Sequence, residues 1–172
     1  MQPVFGAGIN VSYGRHFSLS TGYYSVRKIY KAEAADYKFP TRPYHYNYLF
    51  EIDGNCKVIE IPITLNWAFN EKQKGSWFVS AGASSFLMKR ETYDYMYKYP
   101  SGQVTKYTKQ FGNKNQHIFS VMSLSGGYRY NLSKSVFVSA EPYVKIPLKG
   151  VGAGKLNLNS GGVLFTIGIK PF

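Results

Sequence analysis

From Ile59 to Phe69 the chain alternates strictly, with Ile59, Ile61, Ile63, Leu65, Trp67 and Phe69 on one face and Glu60, Pro62, Thr64 and Asn66 on the other. A period of two is that of an extended strand, and no helical spacing competes with it. The same pattern, apolar on one face and polar or small on the other, returns in segments about as long as a strand crossing a bilayer, roughly 9 to 11 residues. The expectation is an all-β, antiparallel up-and-down transmembrane β-barrel.

Several segments carry the pattern. Trp77, Val79, Ala81, Ala83, Ser85 and Leu87 oppose Ser80, Gly82 and Ser84; Val136, Val138, Ala140, Pro142, Val144, Ile146 and Leu148 oppose Ser139, Glu141, Tyr143 and Lys145. Val163, Phe165, Ile167 and Ile169 alternate with Leu164, Thr166, Gly168 and Lys170. The stretch from Ile118 to Leu132 is weaker, with Ile118, Met122, Leu124, Tyr128 and Tyr130 against Ser123, Ser125 and Arg129. Val4 to Tyr13 and Phe17 to about Tyr30 alternate less cleanly, and the second admits a bulge. The length suits one domain, residues 1–172, and 44% apolar residues with Tyr 16 and Phe 12 make it rich in aromatics without any run long enough for a transmembrane helix.

The connections alternate in length. Gly14 to His16, Asn70 to Ser76 and Asn131 to Ser135 are short, whereas Ala35 to Cys56, Glu91 to Lys114 and Lys149 to Leu158 are long. Outer-membrane barrels have short periplasmic turns and long extracellular loops. The first and last strands then both run inward, which leaves seven strands where an even number is the rule for bacterial single-chain barrels. Three readings remain open: an eighth strand upstream of residue 1, in the same chain or as a separate fragment; an uncounted strand within Tyr44 to Ile52; or a closed odd-stranded barrel. Met1 is followed at once by Gln2 and Pro3 and heads no secretory signal, so in an exported barrel it is expected to be an expression start or an internal position.

Glu60-Ile61-Pro62-Ile63, Gly82-Ala83-Ser84-Ser85 and the run from Glu141-Pro142-Tyr143-Val144-Lys145 to Ile146-Pro147-Leu148-Lys149-Gly150 resemble the small outer-membrane β-barrels of Bacteroidota, the porin-like family of OmpA/OmpX-type architecture. The resemblance covers roughly Val4 to Phe172 and implies a bacterial outer-membrane location, with the barrel closing a longer chain. Phe172 also resembles the terminal aromatic that outer-membrane assembly machinery reads, although it falls on the parity opposite to Phe165, Ile167 and Ile169.

Glu60, Arg129, Glu141 and Lys145 fall on inward faces, and a barrel of about eight strands is just wide enough for side chains to fill. Buried charges need partners, so these four are expected to form a polar plug across the lumen, with Glu141 paired to Arg129 or Lys145. The net charge of +12 gathers at the second long loop, where Lys89, Arg90, Lys98, Lys106, Lys109 and Lys114 are opposed only by Glu91 and Asp94. Contact with outer-membrane lipid, lipopolysaccharide phosphates above all, or solvated loops explain such diffuse charge; no nucleic-acid motif accompanies it. Tyr93, Tyr95, Tyr97 and Tyr99 continue the outward parity of the Trp77 strand and are expected to form, with Lys89, Arg90 and Lys98, a projecting surface for lipopolysaccharide or a protein partner.

Catalysis finds little footing. His16 and Ser18 share a face and resemble the His-x-Ser arrangement of lipid A deacylases, but at a periplasmic turn they stand at the wrong end; His117 and Ser120 are spaced to oppose each other, and His45 lies in a loop. Cys56 is the lone cysteine, and no Cys/His cluster has metal-ligand spacing, so no catalytic residue, metal or other cofactor is expected. The reading is a non-enzymatic anchor or interaction barrel acting through its long loops or an N-terminal part. Its rivals are an outer-membrane lipid-modifying enzyme and a soluble lipocalin-like carrier, which would reverse the two faces.

Overall fold

The β-branched and aromatic residues that alternate along the chain favour a pleated, half-buried backbone, and nearly every such segment is a strand. A computed structural model describes residues 4–33, 46–72, 74–112, 116–150 and 159–169. In chain order these are β1 (Val4–Tyr13), β2 (Phe17–Glu33), a 3-10 turn (Tyr46–Tyr48), β3 (Leu49–Lys72), β4 (Gly75–Lys98), β5 (Val104–Gly112), β6 (Gln116–Asn131), β7 (Val136–Pro147) and β8 (Ser160–Ile169). The fold is all-β and antiparallel. Met1, His45, Lys114 and Phe172, and most of the loops beginning at Ala35 and Lys149, lie outside the described residues.

One sheet holds all eight strands, in the order β1-β2-β3-β4-β6-β7-β8, with β5 against the far half of β4. Seven strands therefore form the main path. Within the segment from Tyr44 to Ile52 the described residues form no separate strand: Tyr46–Tyr48 make the 3-10 turn, and Leu49 begins β3. The stretch from Glu91 toward Lys114 is likewise not an irregular loop but a hairpin, turned where Gly102 takes φ 81° and donates its N–H to the Tyr99 carbonyl. At the opposite end β1 turns into β2 through Gly14, at φ 69°.

The sheet curls into a half-barrel. In a flat sheet the five steps from β2 to β8, at about 4.8 Å each, would separate them by roughly 24 Å. Here Lys28 Nζ on β2 donates to Ser160 Oγ on β8 at 3.0 Å. The ring nonetheless stays open, because β1 and β8 are not hydrogen-bonded to one another among the described residues. Direct pairing of Val4–Tyr13 with the last strand, which would have closed seven strands on themselves, is absent there.

Of the register shifts in the ladders, two shape the site. Lys57 pairs with Arg90 but Val58 pairs with Met88, so Lys89 is an extra residue and both Lys89 and Arg90 are exposed. A bulge sets two residues against one and shifts the parity of all that follows. Tyr93 and Tyr95 accordingly turn inward, at 0% and 6% exposure, and Glu91 goes in with them. The expectation of an outward tyrosine row fails for this reason. The second bulge lies in β6 opposite Ser84 and Phe86, where Phe119 has φ 45°.

Beyond the first bulge the sheet has a true core. Leu49, Ile52, Cys56, Val58, Phe86, Met88, Tyr93, Tyr95 and Val121 pack on the concave side, with Tyr30 and Phe111 against them. Gly54 lies under the Tyr30 ring from the neighbouring strand, and a Cβ at that position would overlap the ring.

Deleting Lys89 removes the extra residue and returns Tyr93 and Tyr95 to the outer face. Losing the burial of two large side chains, at about 1.5 to 3 kcal/mol each, should lower the denaturation midpoint of the far half of the sheet, whereas Lys89→Ala, which keeps the bulge, should leave it nearly unchanged. Equal midpoints for the deletion and the alanine variant would show that the bulge does not set the tyrosine faces.

Candidate functional site

Three groups of chemistry-bearing side chains emerge: a polar cluster on the concave side, a buried thiol and tyrosine cluster beyond it, and a cationic row on the convex face.

The concave cluster is built by β3 and β7. Inward parity of Glu60 and Lys145, together with the curl of the sheet, brings them face to face: Lys145 Nζ lies 2.6 and 2.7 Å from the two Glu60 oxygens. Ser84 on β4 donates a further hydrogen bond to Glu60 Oε1 at 2.6 Å. Exposure of the two charged side chains is 18% for lysine and 3% for glutamate, so the pair is largely withdrawn from water. Glu141 accepts from Ser125 Oγ at 2.6 Å, and the Arg129 guanidinium lies over the rings of Phe137 and Phe78, 4.8 and 5.6 Å from their centres. All four expected residues are thus on the concave side or its rim, but the lysine partner is Glu60, not Glu141. Nearer the short turns Asn66 Nδ2 donates to Ser20 Oγ and to the Ser18 carbonyl, at 2.7 and 3.1 Å, and Asn10 Nδ2 reaches Ser20 Oγ at 2.8 Å.

Cys56 is 1% exposed in mid-strand, not at a strand end. Its Sγ stands 3.8 Å from the Tyr93 hydroxyl, which donates to Glu91 Oε2 at 2.6 Å. Burial pushes the thiol up to about 11, and it holds the hydroxyls of Tyr30 and Tyr93 well above the ordinary tyrosine range. The result is a dry, neutral thiol. Sequence reasoning missed this cluster because only the bulge at Lys89 turns Tyr93 and Glu91 toward Cys56.

Of the residues expected to project as a contact surface, Tyr93, Tyr95 and half-buried Tyr97 lie on the inner side, while Lys89, Arg90 and Lys98 remain exposed. Asp94 on the outer face is held by Lys106 at 2.7 Å and by Thr108 at 2.6 Å. His16 and Ser18 have separate partners: the imidazole Nδ1 lies 3.1 Å from the Ala68 carbonyl, and Ser18 Oγ accepts from Asn10 at 3.1 Å. Ser120 Oγ bonds the backbone carbonyl of His117, not its ring. Among the described residues no three His, Cys, Asp or Glu side chains are grouped to hold a metal ion.

Comparison with protein-family models, with curated proteins and with solved structures finds no match to this chain.

Two outcomes follow from the buried groups. Lys145→Met leaves the Glu60 carboxylate uncompensated and should cost about 3 to 5 kcal/mol, whereas Glu60→Leu combined with Lys145→Met should recover much of the loss; a double-mutant cycle by denaturant unfolding measures this, and additive losses would mean that the pair is hydrated. Cys56 in the folded protein should resist a thiol-specific chromogenic reagent at pH 8, its thiolate fraction near a thousandth by its raised pKa, and react promptly once unfolded. The stability contributed by the neutral thiol is fully present below pH about 8.5 and is lost as pH rises toward about 11. Prompt labelling of the folded protein at pH 8 would contradict the dry setting of Cys56.

Proposed function

We propose that this protein is a non-enzymatic outer-membrane β-barrel of the Bacteroidota porin-like kind, which anchors and presents a protruding sheet to partners on the cell surface. The observation that carries the reading is an inversion of faces along the same strands. Toward the short turns the convex side is apolar and bare, with Leu19, Ile63, Leu65, Trp67, Trp77, Val144, Phe165 and Ile167 exposed at 40% or more, while the concave side holds Glu60, Asn66, Ser84, Glu141 and Lys145. Around Lys57 and Lys89 the polarity reverses: from the level of Val58, Phe86 and Met88 outward the concave side holds the apolar core, and the convex side carries Arg27, Lys57, Arg90, Asp94 and Lys98. A protein wet on all sides has no reason to invert. A protein with a hydrocarbon belt around its lower half and water around its upper half does.

The arrangement also weighs against a lipocalin-like carrier, which would line its cup with apolar groups at the level where Glu60 and Lys145 stand. The separate partners of His16 and Ser18 favour an anchor over a lipid-modifying enzyme. Among the described residues the outer edges of β1 and β8 have no strand partner, and open edges are untenable in hydrocarbon, where each unpaired backbone group costs several kcal/mol. The reading therefore requires one further strand that pairs with both edges, which brings the ring to eight. The far halves of β2, β3 and β4, with β5, then stand clear of the membrane, and the exposed outer edge of β5, which pairs with no strand but β4 among the described residues, is the natural place for a partner.

Ile63→Arg should cost about 2 to 4 kcal/mol in folding into lipid vesicles, because it puts a cation near the bilayer midplane, while Thr64→Arg should be limited by crowding on the concave side. Lys98→Ala on the protruding sheet should be neutral. Equal vesicle-folding yields for Ile63→Arg and Lys98→Ala would sink the membrane reading.

A further inference from the structure

The level at which the faces invert carries a groove on the convex side. Its floor is Ser25 and Ile59, its flank is Tyr23, and its rim is Lys57, Lys89 and Arg90. The bulge makes this rim: as the extra residue, Lys89 joins Arg90 on the outer face, both opposite Lys57. Arg27, whose Nε donates to Asn55 Oδ1 at 2.9 Å, pairs across the ladder with Lys57, so like charges run in a row over three strands. Like charges directly opposite one another oppose sheet pairing. Nothing nearby relieves them. The ion pairs among the described residues join Lys31 to Glu51 and Asp53, Lys106 to Asp94 and Lys145 to Glu60, which leaves Lys57, Lys89 and Arg90 without a carboxylate. Glu91, the neighbouring acid in sequence, is turned inward by the same bulge.

We propose that Lys57, Lys89 and Arg90 form a binding site for the phosphate of a membrane lipid headgroup. Three cations converging on one groove suit a dianionic group with several acceptor oxygens; Arg90 offers a planar fork to two of them, and the lysines supply point charge. The lipid source follows from what lies below. Ile59 is 6% exposed at the groove floor, and beyond half-buried Ile61 the outward residues toward the short turns include Ile63, Leu65 and Leu19, which are 43%, 54% and 52% exposed. A phosphate seated on the rim hangs its acyl chains along this apolar face, so charge and chains are satisfied together. Free phosphate uses only the rim. This assignment rests on the membrane reading, because it needs the acyl chains to be there.

The test reconstitutes the full-length native protein into phosphatidylcholine vesicles with and without phosphatidate, and reads retained lipid by native mass spectrometry. Wild type should carry phosphatidate in preference to phosphatidylcholine. Lys57→Gln/Lys89→Gln/Arg90→Gln should reduce that preference about tenfold or more, the scale of losing several charge-assisted hydrogen bonds, while the charge-matched Lys74→Gln/Lys134→Gln/Lys149→Gln, at exposed positions away from the groove, retains it. Equal losses in the two triple variants overturn the site in favour of diffuse charge, and no preference in wild type overturns it outright. A second arm titrates inorganic phosphate into detergent-solubilised protein. Rim-dependent binding of inorganic phosphate with no added preference for phosphatidate overturns the lipid source. Failure of wild type to insert into either vesicle overturns the membrane reading and the lipid source together, and the phosphate arm then reports by itself whether the rim binds an anion.

Discussion

One extra residue sets the character of this sheet. Every face in a strand is a parity, and a parity can change only where the ladder slips. At Lys89, in the middle of the β3–β4 ladder, it slips by one residue. Below that point the even positions of β4 face inward with Ser80 and Ser84, and above it the odd positions do, with Glu91, Tyr93 and Tyr95. Without the slip the upper tyrosines would be stranded on the wet face and Cys56 would lose its cover. The same residue doubles the positive charge on the outside, so the interior core and the exterior groove share one cause.

The curl depends on a second kind of constraint. A seven-stranded path closes toward a barrel only if its inner face tolerates crowding, and here small residues and cross-sheet polar bonds make the room and supply the pull. Glu60 illustrates how a buried charge is tolerated: Lys145 bonds both its oxygens and Ser84 one of them. The pair spans β3 to β7, and the Lys28 bond to Ser160 spans β2 to β8. These contacts tie distant strands without any backbone pairing between them. They explain how the sheet holds its curvature although β1 and β8 do not join.

The strands of the main path were legible in the sequence, because periodicity is local and each strand reports its own. So were the inward faces of Glu60, Glu141 and Lys145, which follow from parity within one uninterrupted segment. The partner of Lys145 was not legible. It lies 85 residues away in the chain, and choosing Glu60 over Glu141 needs the curvature and stagger of the whole sheet. The tyrosine row was misread for a sharper reason: Lys89 and Arg90 carry no Gly or other mark of a bulge, and a parity carried across an unseen slip is wrong at every later position. The lengths of β3 and β4 were hidden as well, since Leu49 to Cys56 and Glu91 to Lys98 lack the membrane-type alternation and resemble loops until their core is seen.

That difference in alternation is itself physically informative. A strand's pattern records what lies on each of its two sides, and β3 and β4 record two environments in succession. Over Ile59–Phe69 the outer positions are uniformly apolar and the inner ones polar or small; over 49–58 the inner positions Ile52, Cys56 and Val58 are buried, while Glu51, Asp53, Asn55 and Lys57 occupy the other face. Hydrophobic burial drives both halves, but in the upper half the apolar surface must be supplied by the protein's own interior, whereas in the lower half an external apolar phase would do the same work. Only the second arrangement leaves a large bare apolar surface outside, a state that a water-surrounded monomer rarely sustains over so wide an area. On the proposed membrane reading the inversion is a solvent boundary, and it lies at the level where Lys57, Lys89 and Arg90 stand together.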